Sequence, residues 1–216
     1  MINMQYLRHL PFLPLFLIFF ALPANAGIYD DILVAANKDD TAGVIDLLKR
    51  GMDVNTTDPS GNTLLMIAAR NGNTNLLDYL LRNKSNLLKR NRYGDSAIML
   101  AAFRGHTEIV RRLLGAGTDI HQSGWNALHY SAYAGYTDIV RLLIDHKADL
   151  DAKAPNGQTA LMLAASAGHL QVVKILIDAD ADMDLEDPEG RTAISIAEKA
   201  GHTELADYLR ESGADE

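Results

Sequence analysis

The sequence predicts an all-α solenoid in which helix-turn-helix units follow one another along the chain and are joined by extended loops. This fold class rests on three markers of different chemistry that recur in step. A small residue follows each short apolar run, a glycine comes four residues later, and paired aliphatic residues lie in the second half of each unit. The first two markers stand at Ala35, Ala68, Ala101, Ser131, Ala164 and Ala197, and at Gly72, Gly105, Gly135, Gly168 and Gly201. Their intervals are 33 residues with a single interval of 30, so chance is a poor explanation.

The first 26 residues differ from the repeated units and are predicted to be a secretory signal peptide. Arg8 and His9 precede an almost uninterrupted apolar run over residues 10–22, and Ala24-Asn25-Ala26 then forms a small-x-small cleavage site. The alternative is an uncleaved anchor, but a spanning helix needs about 20 apolar residues. No second apolar stretch of spanning length follows. We therefore expect cleavage after Ala26, no membrane attachment afterwards, and a periplasmic or secreted protein.

Each unit carries signals for the start and end of two helices. A hydroxyl or amide residue precedes the first apolar stretch, and its side-chain oxygen can accept a hydrogen bond from an unpaired backbone N–H of the first turn. The marker glycine tolerates the left-handed turn that ends this helix. A second helix is predicted after it, as in residues 170–178, whose aliphatic residues fall on one helical face. The predicted N-cap residues are Thr63, Ser96, Asn126, Thr159 and Thr192.

Composition and charge exclude several function classes. Apolar residues make up 48% and charged residues 22% of the 216 residues, which is typical of a globular protein. The absence of cysteine excludes disulfides, thiolate zinc sites, iron–sulfur clusters and thiol nucleophiles, so stability has to come from stacking between units. The net charge is −8, and −9 once residues 1–26 are removed. This acidic balance argues against nucleic-acid binding.

The repeated unit resembles the ankyrin repeat. The best matches are residues 156–161 (Asn-Gly-Gln-Thr-Ala-Leu) followed by Gly168-His169, and residues 104–110 (Arg-Gly-His-Thr-Glu-Ile-Val). The resemblance covers about residues 29–216 and implies an ankyrin solenoid with short β-hairpin fingers. Its six repeats are expected at about 29–57, 58–90, 91–122, 123–153, 154–186 and 187–216, within one domain over residues 27–216.

The sequence departs from the ankyrin pattern in two places. The turn glycine after the second helix is replaced by Lys84, Lys147 and Asp180, and a left-handed conformation there would lower stability. One unit is three residues short between Asp119 and Leu128. We expect a trimmed finger there, around residues 122–124.

Neither the histidines nor the acidic residues predict catalysis. His106, His169 and His202 lie at least one repeat apart, and neighbouring helices are about 8–10 Å apart, so they cannot share a zinc ion; the resemblance implies that they stabilise turns. Residues 178–189 place carboxylates in the ligand slots of a calcium loop, but Met183 stands where that loop needs glycine. No nucleophile elbow, phosphate-binding loop or metalloprotease motif occurs. We therefore expect no enzyme, cofactor or metal site, and keep calcium binding by 178–189 as an alternative.

The distribution of aromatic residues points to a binding surface. Six of the nine aromatic residues after the signal peptide lie between residues 93 and 136. In ankyrin repeats the variable binding positions are the finger tips and the two residues before the turn glycine. The resemblance therefore implies one concave protein-binding patch in the third and fourth repeats, formed by Tyr93, Phe103, Arg104, Trp125 and Tyr133. Tyrosine, tryptophan and arginine are the residue types of interface hot spots.

The charges are also unevenly distributed. Residues 82–112 carry a net +6 and residues 137–216 a net −10, which would steer a partner of complementary charge. The expected function is that of an exported, monomeric, non-catalytic scaffold that binds a protein partner. A secreted effector or a toxin-neutralising, immunity-type protein is the other alternative.

Overall fold

Twelve α-helices make up the computed structural model, which describes the backbone of residues 24–213 and the side chains of residues 27–213. The helices are α1 (Ala24–Asn37), α2 (Thr41–Lys49), α3 (Leu64–Asn71), α4 (Thr74–Arg82), α5 (Ala97–Arg104), α6 (Thr107–Gly115), α7 (Ala127–Ala134), α8 (Thr137–Asp145), α9 (Ala160–Ala167), α10 (Leu170–Ile177), α11 (Ala193–Ala200) and α12 (Thr203–Glu211). They form six consecutive antiparallel pairs. Residues 1–23 of the predicted signal peptide lie outside the described residues, and its last three residues begin α1.

The first helix of each pair from the second unit onward begins and ends where the sequence predicts. The five predicted N-cap residues all precede a helix; for example, the Thr63 hydroxyl accepts a hydrogen bond from the backbone N–H of Met66 at 3.2 Å. The five marker glycines end these helices in the left-handed conformation, with φ between 75° and 81°. Because caps and turns are local interactions, the sequence was sufficient to place them.

The helix pairs stack into two layers with one continuous core between them. The core consists of aliphatic and alanine side chains from every unit, with Leu80, Leu113, Leu143 and Leu176 all at 0% exposure. First helices of neighbouring units make far closer contact than second helices do. The solenoid therefore curves toward the first helices, which form its concave side together with the fingers. No helix within residues 24–213 has both the length and the apolar character that crossing a membrane requires.

The fingers are short hairpin turns with little backbone pairing, such as the hydrogen bond from the Asp58 N–H to the Asn62 oxygen at 2.9 Å. Within residues 24–213 the β-structure is limited to a single antiparallel bridge between Thr57 and Thr63. An Asx turn reinforces the second finger, because Asp58 Oδ1 accepts hydrogen bonds from the backbone N–H groups of Ser60 and Asn62. Each finger is too short to extend a ladder past one pair of residues.

Turn histidines connect neighbouring units, as the resemblance implies. The Nε2 atoms of His106, His169 and His202 lie 3.1, 3.0 and 3.2 Å from the backbone oxygens of the residues 36 positions earlier, which are Arg70, Tyr133 and Ser166. Each ring also covers the turn glycine of the preceding unit, where a side chain would collide with it. Tyr136 takes this place in the fourth unit and covers Gly105.

The three residues that replace turn glycines adopt the left-handed conformation, which was expected to lower stability. Lys84, Lys147 and Asp180 have φ of 60°, 65° and 65°, beside Gly51, Gly117 and Gly213 at 99°, 83° and 97°. A left-handed conformation costs roughly 1–2 kcal/mol in a residue with a Cβ. The stacked units therefore impose this turn even where no glycine provides it.

Candidate protein-binding surface

The short fourth finger presents a tryptophan where the other fingers carry polar residues. Trp125 precedes the N-cap of α7, and the equivalent positions in the other units are Asn62, Asp95, Gln158 and Arg191. Residues 123–125 form a bend without the hydrogen-bonded turn of the full-length fingers. The trimmed finger is therefore where the sequence predicts it, and the indole packs partly buried against the core.

Tyr130 of α7 joins the third finger to the aromatic cluster. Its hydroxyl donates a hydrogen bond to Asp95 Oδ1 at 2.7 Å. Burial raises the pKa of Tyr130, and the hydrogen bond to the Asp95 carboxylate raises it further. The ring meets Phe103 edge to face at 5.6 Å between centroids and lies tilted against Trp125 at 5.7 Å. The phenol is thus held in a fixed orientation between the two other rings.

These aromatic side chains line a pocket of about 290 Å³ on the concave side. Its walls come from three successive units, because α5, α7, α9 and the fourth and fifth fingers all contribute. The lining residues are Phe103, Trp125, Tyr130, Tyr133, Asn156, Gln158, Leu163 and Ser166. Rings form one side, and neutral amide and hydroxyl groups form the other. Such a pocket can enclose one apolar or aromatic side chain and offer hydrogen bonds to the adjoining backbone.

Three of the five residues that the sequence singled out lie together in this pocket, and two do not. Phe103, Trp125 and Tyr133 line it, and Phe103 and Tyr133 are 40% and 51% exposed. Tyr93 lies at the tip of the third finger with 78% of its surface exposed. Arg104 lies beside the pocket, with its guanidinium carbon 6.0 Å from the Phe103 ring centroid. Tyr93 and Arg104 do not line the pocket, whose other walls come from the fourth and fifth units, and their part in a single binding patch stays a prediction.

Tyr130 and the pocket residues of the fifth unit were not identified from the sequence. Tyr130 could have been found, because the equivalent positions are Ile67, Leu100, Leu163 and Ile196, and a tyrosine interrupts that aliphatic series. Asn156, Gln158 and Ser166 carry no comparable signal, since polar residues are common in fingers and before turn glycines. Only the stacking of the fifth unit against the fourth places them opposite the rings.

A buried histidine packs against the pocket residue Trp125. His129 is 1% exposed, and its ring meets Trp125 edge to face at 5.8 Å. Its Nδ1 accepts from the backbone N–H of Asn126 at 3.2 Å, and its Nε2 donates to the Ala152 carbonyl at 2.8 Å. Burial lowers the pKa of His129 despite the hydrogen bond to Ala152. The His129 ring thus joins the fourth finger to the loop before the fifth finger.

The acidic loop of residues 178–189 follows α10 and leads into the sixth finger. Asp187 is buried and accepts from Arg191 Nε at 2.7 Å, and Arg191 also binds Glu189 at 2.9 Å. Burial of Asp187 alone would raise its pKa, but hydrogen bonds from Arg191 and from backbone N–H groups hold the pKa below its usual value. Within the described part of the chain, no three His, Asp or Glu side chains come close enough together to hold a metal ion.

Sequence comparison gives the same repeat architecture. The family described as "Ankyrin repeats (3 copies)" matches four overlapping stretches, residues 32–123, 75–154, 115–187 and 146–216. The chain is also similar to the nuclear factor NF-kappa-B p105 subunit of Gallus gallus, with 36% identity over 93 residues. That match covers 40% of this chain and only 10% of the length of the relative. Since the family pattern extends over more than half of the sequence and the helix pairs stack as it requires, the chain belongs to the ankyrin repeat family.

Proposed function

We propose that this protein is an exported, non-catalytic scaffold that binds a protein partner on its concave side, with the aromatic pocket as the anchor point. The observation that carries the proposal is the exposure of the rings of Phe103 and Tyr133 beside Trp125 in a preformed pocket. A rigid solenoid reduces the entropy lost on binding. Aromatic side chains in a pocket are the residues that dominate the energy of protein interfaces.

Substitution of the two exposed rings is expected to abolish partner binding. The variant Phe103→Ala with Tyr133→Ala removes apolar contact area while leaving the core in place, and hot-spot truncations weaken binding by at least about tenfold. Affinity capture from extracts of the native organism, quantified by mass spectrometry, measures the recovery of each protein relative to wild type. Circular dichroism and urea unfolding check that the variant remains folded.

Tyr93→Ala is the matched control, because this tyrosine is more exposed than either pocket residue and lies on a neighbouring finger outside the pocket. Partners that depend on the pocket should be recovered equally by wild type and by the control. Equal recovery by the folded pocket variant would show that the aromatic pocket is not the anchor.

If the protein is exported with cleavage after Ala26, the mature chain should have a single defined N-terminus. Expression of the full chain in a bacterium with a periplasm should yield protein that begins at Gly27, which intact mass and N-terminal sequencing measure. Replacement of both Ala24 and Ala26 by lysine should block cleavage, because the site needs small residues. The control substitution Asn25→Ser, which lies between them, should leave cleavage unchanged. Uncleaved protein in the cytoplasmic fraction would contradict export.

A further inference from the structure

Along the chain, the pocket lies between a basic stretch of the third unit and an acidic loop that leads into the sixth unit. On the side of the third unit lie the cationic residues Lys89, Arg90, Arg92 and Arg104. Arg90 donates to the backbone oxygen of Gly94 at 3.1 Å and reaches Gln122 of the short finger, so its charge lies next to the fourth unit. Arg92 and Arg104 are exposed, and neither forms a salt bridge with a carboxylate among residues 24–213. Their charges are therefore available to a partner.

The loop between the fifth and sixth units is acidic, although Asp187 and Glu189 in it pair with Arg191. Residues 178–189 include seven aspartates and glutamates and no lysine or arginine. This loop is attached to the pocket through the fifth finger, because Lys153 Nζ donates to the backbone oxygen of Glu186 at 2.8 Å and the Pro188 ring lies against Gly157. Lys153 thus binds a backbone atom, and the exposed carboxylate of Glu186 forms no salt bridge with a described residue.

The spacing of the units sets the spacing of complementary charges on a bound segment. Neighbouring helices are about 8–10 Å apart, and an extended chain rises about 3.3 Å per residue, so one unit corresponds to about three residues of ligand. Arg104 lies one unit before Trp125, and Glu186 directly precedes the sixth finger, which is two fingers after that of Trp125. A segment anchored in the pocket would place its residues about three positions away on one side beside Arg104. On the other side, residues about six positions away would lie beside Glu186.

We propose that the partner contributes an extended segment with an aromatic or large apolar anchor in the pocket, acidic residues over the third unit and basic residues over the fifth and sixth units. This inference rests on the proposed function and specifies the chemistry of the partner. The order of charges, and not net charge alone, selects the segment, because the wrong order places like charges together on both sides of the anchor.

Synthetic peptides of about ten residues test this order directly. Two peptides carry a phenylalanine anchor with a block of glutamates on one side and a block of lysines on the other, in the two possible orders. The matched control has the same composition, anchor and net charge, but alternates glutamate and lysine. Trp125 is the only tryptophan of the chain, so binding of these tryptophan-free peptides is measured from its fluorescence and checked by calorimetry.

At least one block peptide should bind about tenfold more tightly than the alternating peptide at low salt, and about 0.5 M salt should reduce this advantage. The double substitution Arg92→Glu with Arg104→Glu should remove the advantage, whereas Arg82→Glu with Arg111→Glu, on the second-helix layer, should not. Equal binding of block and alternating peptides, or no binding of either, would overturn the inference. The proposed function would survive these outcomes if the Phe103→Ala, Tyr133→Ala variant still lost its captured partner.

Discussion

Gly168→Ala is expected to lower the free energy of unfolding by about 2–3 kcal/mol, whereas Gly201→Ala lowers it by only about 1 kcal/mol. Both glycines end a first helix in the left-handed conformation, with φ of 75° and 80°. They differ in what an added Cβ would meet. At Gly168 it would lie 2.7 Å from Cε1 of His202, and at Gly201 it would lie in open space.

The additional loss at Gly168 comes from the neighbouring unit. The His202 ring has to move, and its hydrogen bond to the Ser166 carbonyl at 3.2 Å is then lost, which costs about 1 kcal/mol. Urea unfolding of the two alanine variants measures both effects. In a His202→Ala background, the two glycine substitutions should cost nearly the same. Equal losses in the wild-type background would mean that the turn histidine does not couple the two units.

Replacement of His129 by alanine is expected to lower the free energy of unfolding by about 3 kcal/mol. The substitution leaves a cavity beneath Trp125 and removes the partners of the Asn126 N–H and of the Ala152 carbonyl. His129→Met should cost less, about 1 kcal/mol. Methionine occupies the equivalent position at Met66 and Met99, where its sulfur lies 3.4 Å from the N–H of the N-cap residue. Chemical unfolding at pH 7.5 measures the free energy of unfolding of the wild type, His129→Ala and His129→Met.

The same histidine makes stability depend on pH. Because burial lowers the pKa of His129 in the folded state, its ring is neutral in both states above the unfolded value of about 6.5. Below that pH the unfolded chain binds a proton that the folded chain does not, so the free energy of unfolding falls with falling pH. Between pH 7.5 and 5.5 the wild type should therefore lose more stability than His129→Met.

His121→Asn is the matched control for this pH dependence, since His121 is an exposed residue of the same short finger. Its variant should keep the slope of the wild type over this pH interval. A His129→Met protein whose stability falls as steeply as that of the wild type would show that the His129 ring does not resist protonation.

The local part of the fold was predictable residue by residue. Thr63 and Asn126 cap their helices, because the side-chain oxygen of each accepts a hydrogen bond from the backbone N–H three residues later. Gly105 ends α5 because a residue without Cβ adopts the left-handed conformation without strain. The pairing within the fingers is short for an equally local reason. A finger that closes through the side chain of Asp58 has too few residues left to build a ladder.

The candidate pocket was only partly predictable. The period of the repeat placed Phe103 and Tyr133 at equivalent positions before the turn glycines, and the missing three residues pointed to Trp125. The repeat period could not show that the Tyr130 hydroxyl donates a hydrogen bond to Asp95, or that Gln158 of the following unit lines the pocket. Tyr93 appeared equivalent to Trp125 as a finger residue, yet it lies outside the pocket.

The sequence by itself determined the repeated unit, its caps and turns, and the place where one finger is shortened. These features depend on residues within a few positions of one another, so their pattern is readable along the chain. The tertiary structure alone decided the curvature, the partners of each ring, and the closure of the pocket by residues of the fifth unit. Those features join residues about one unit apart, such as Tyr130 with Asp95 and His202 with Ser166, 35 and 36 positions apart. Such contacts exist only once the units are stacked, because stacking buries the aliphatic faces that no single unit can cover alone.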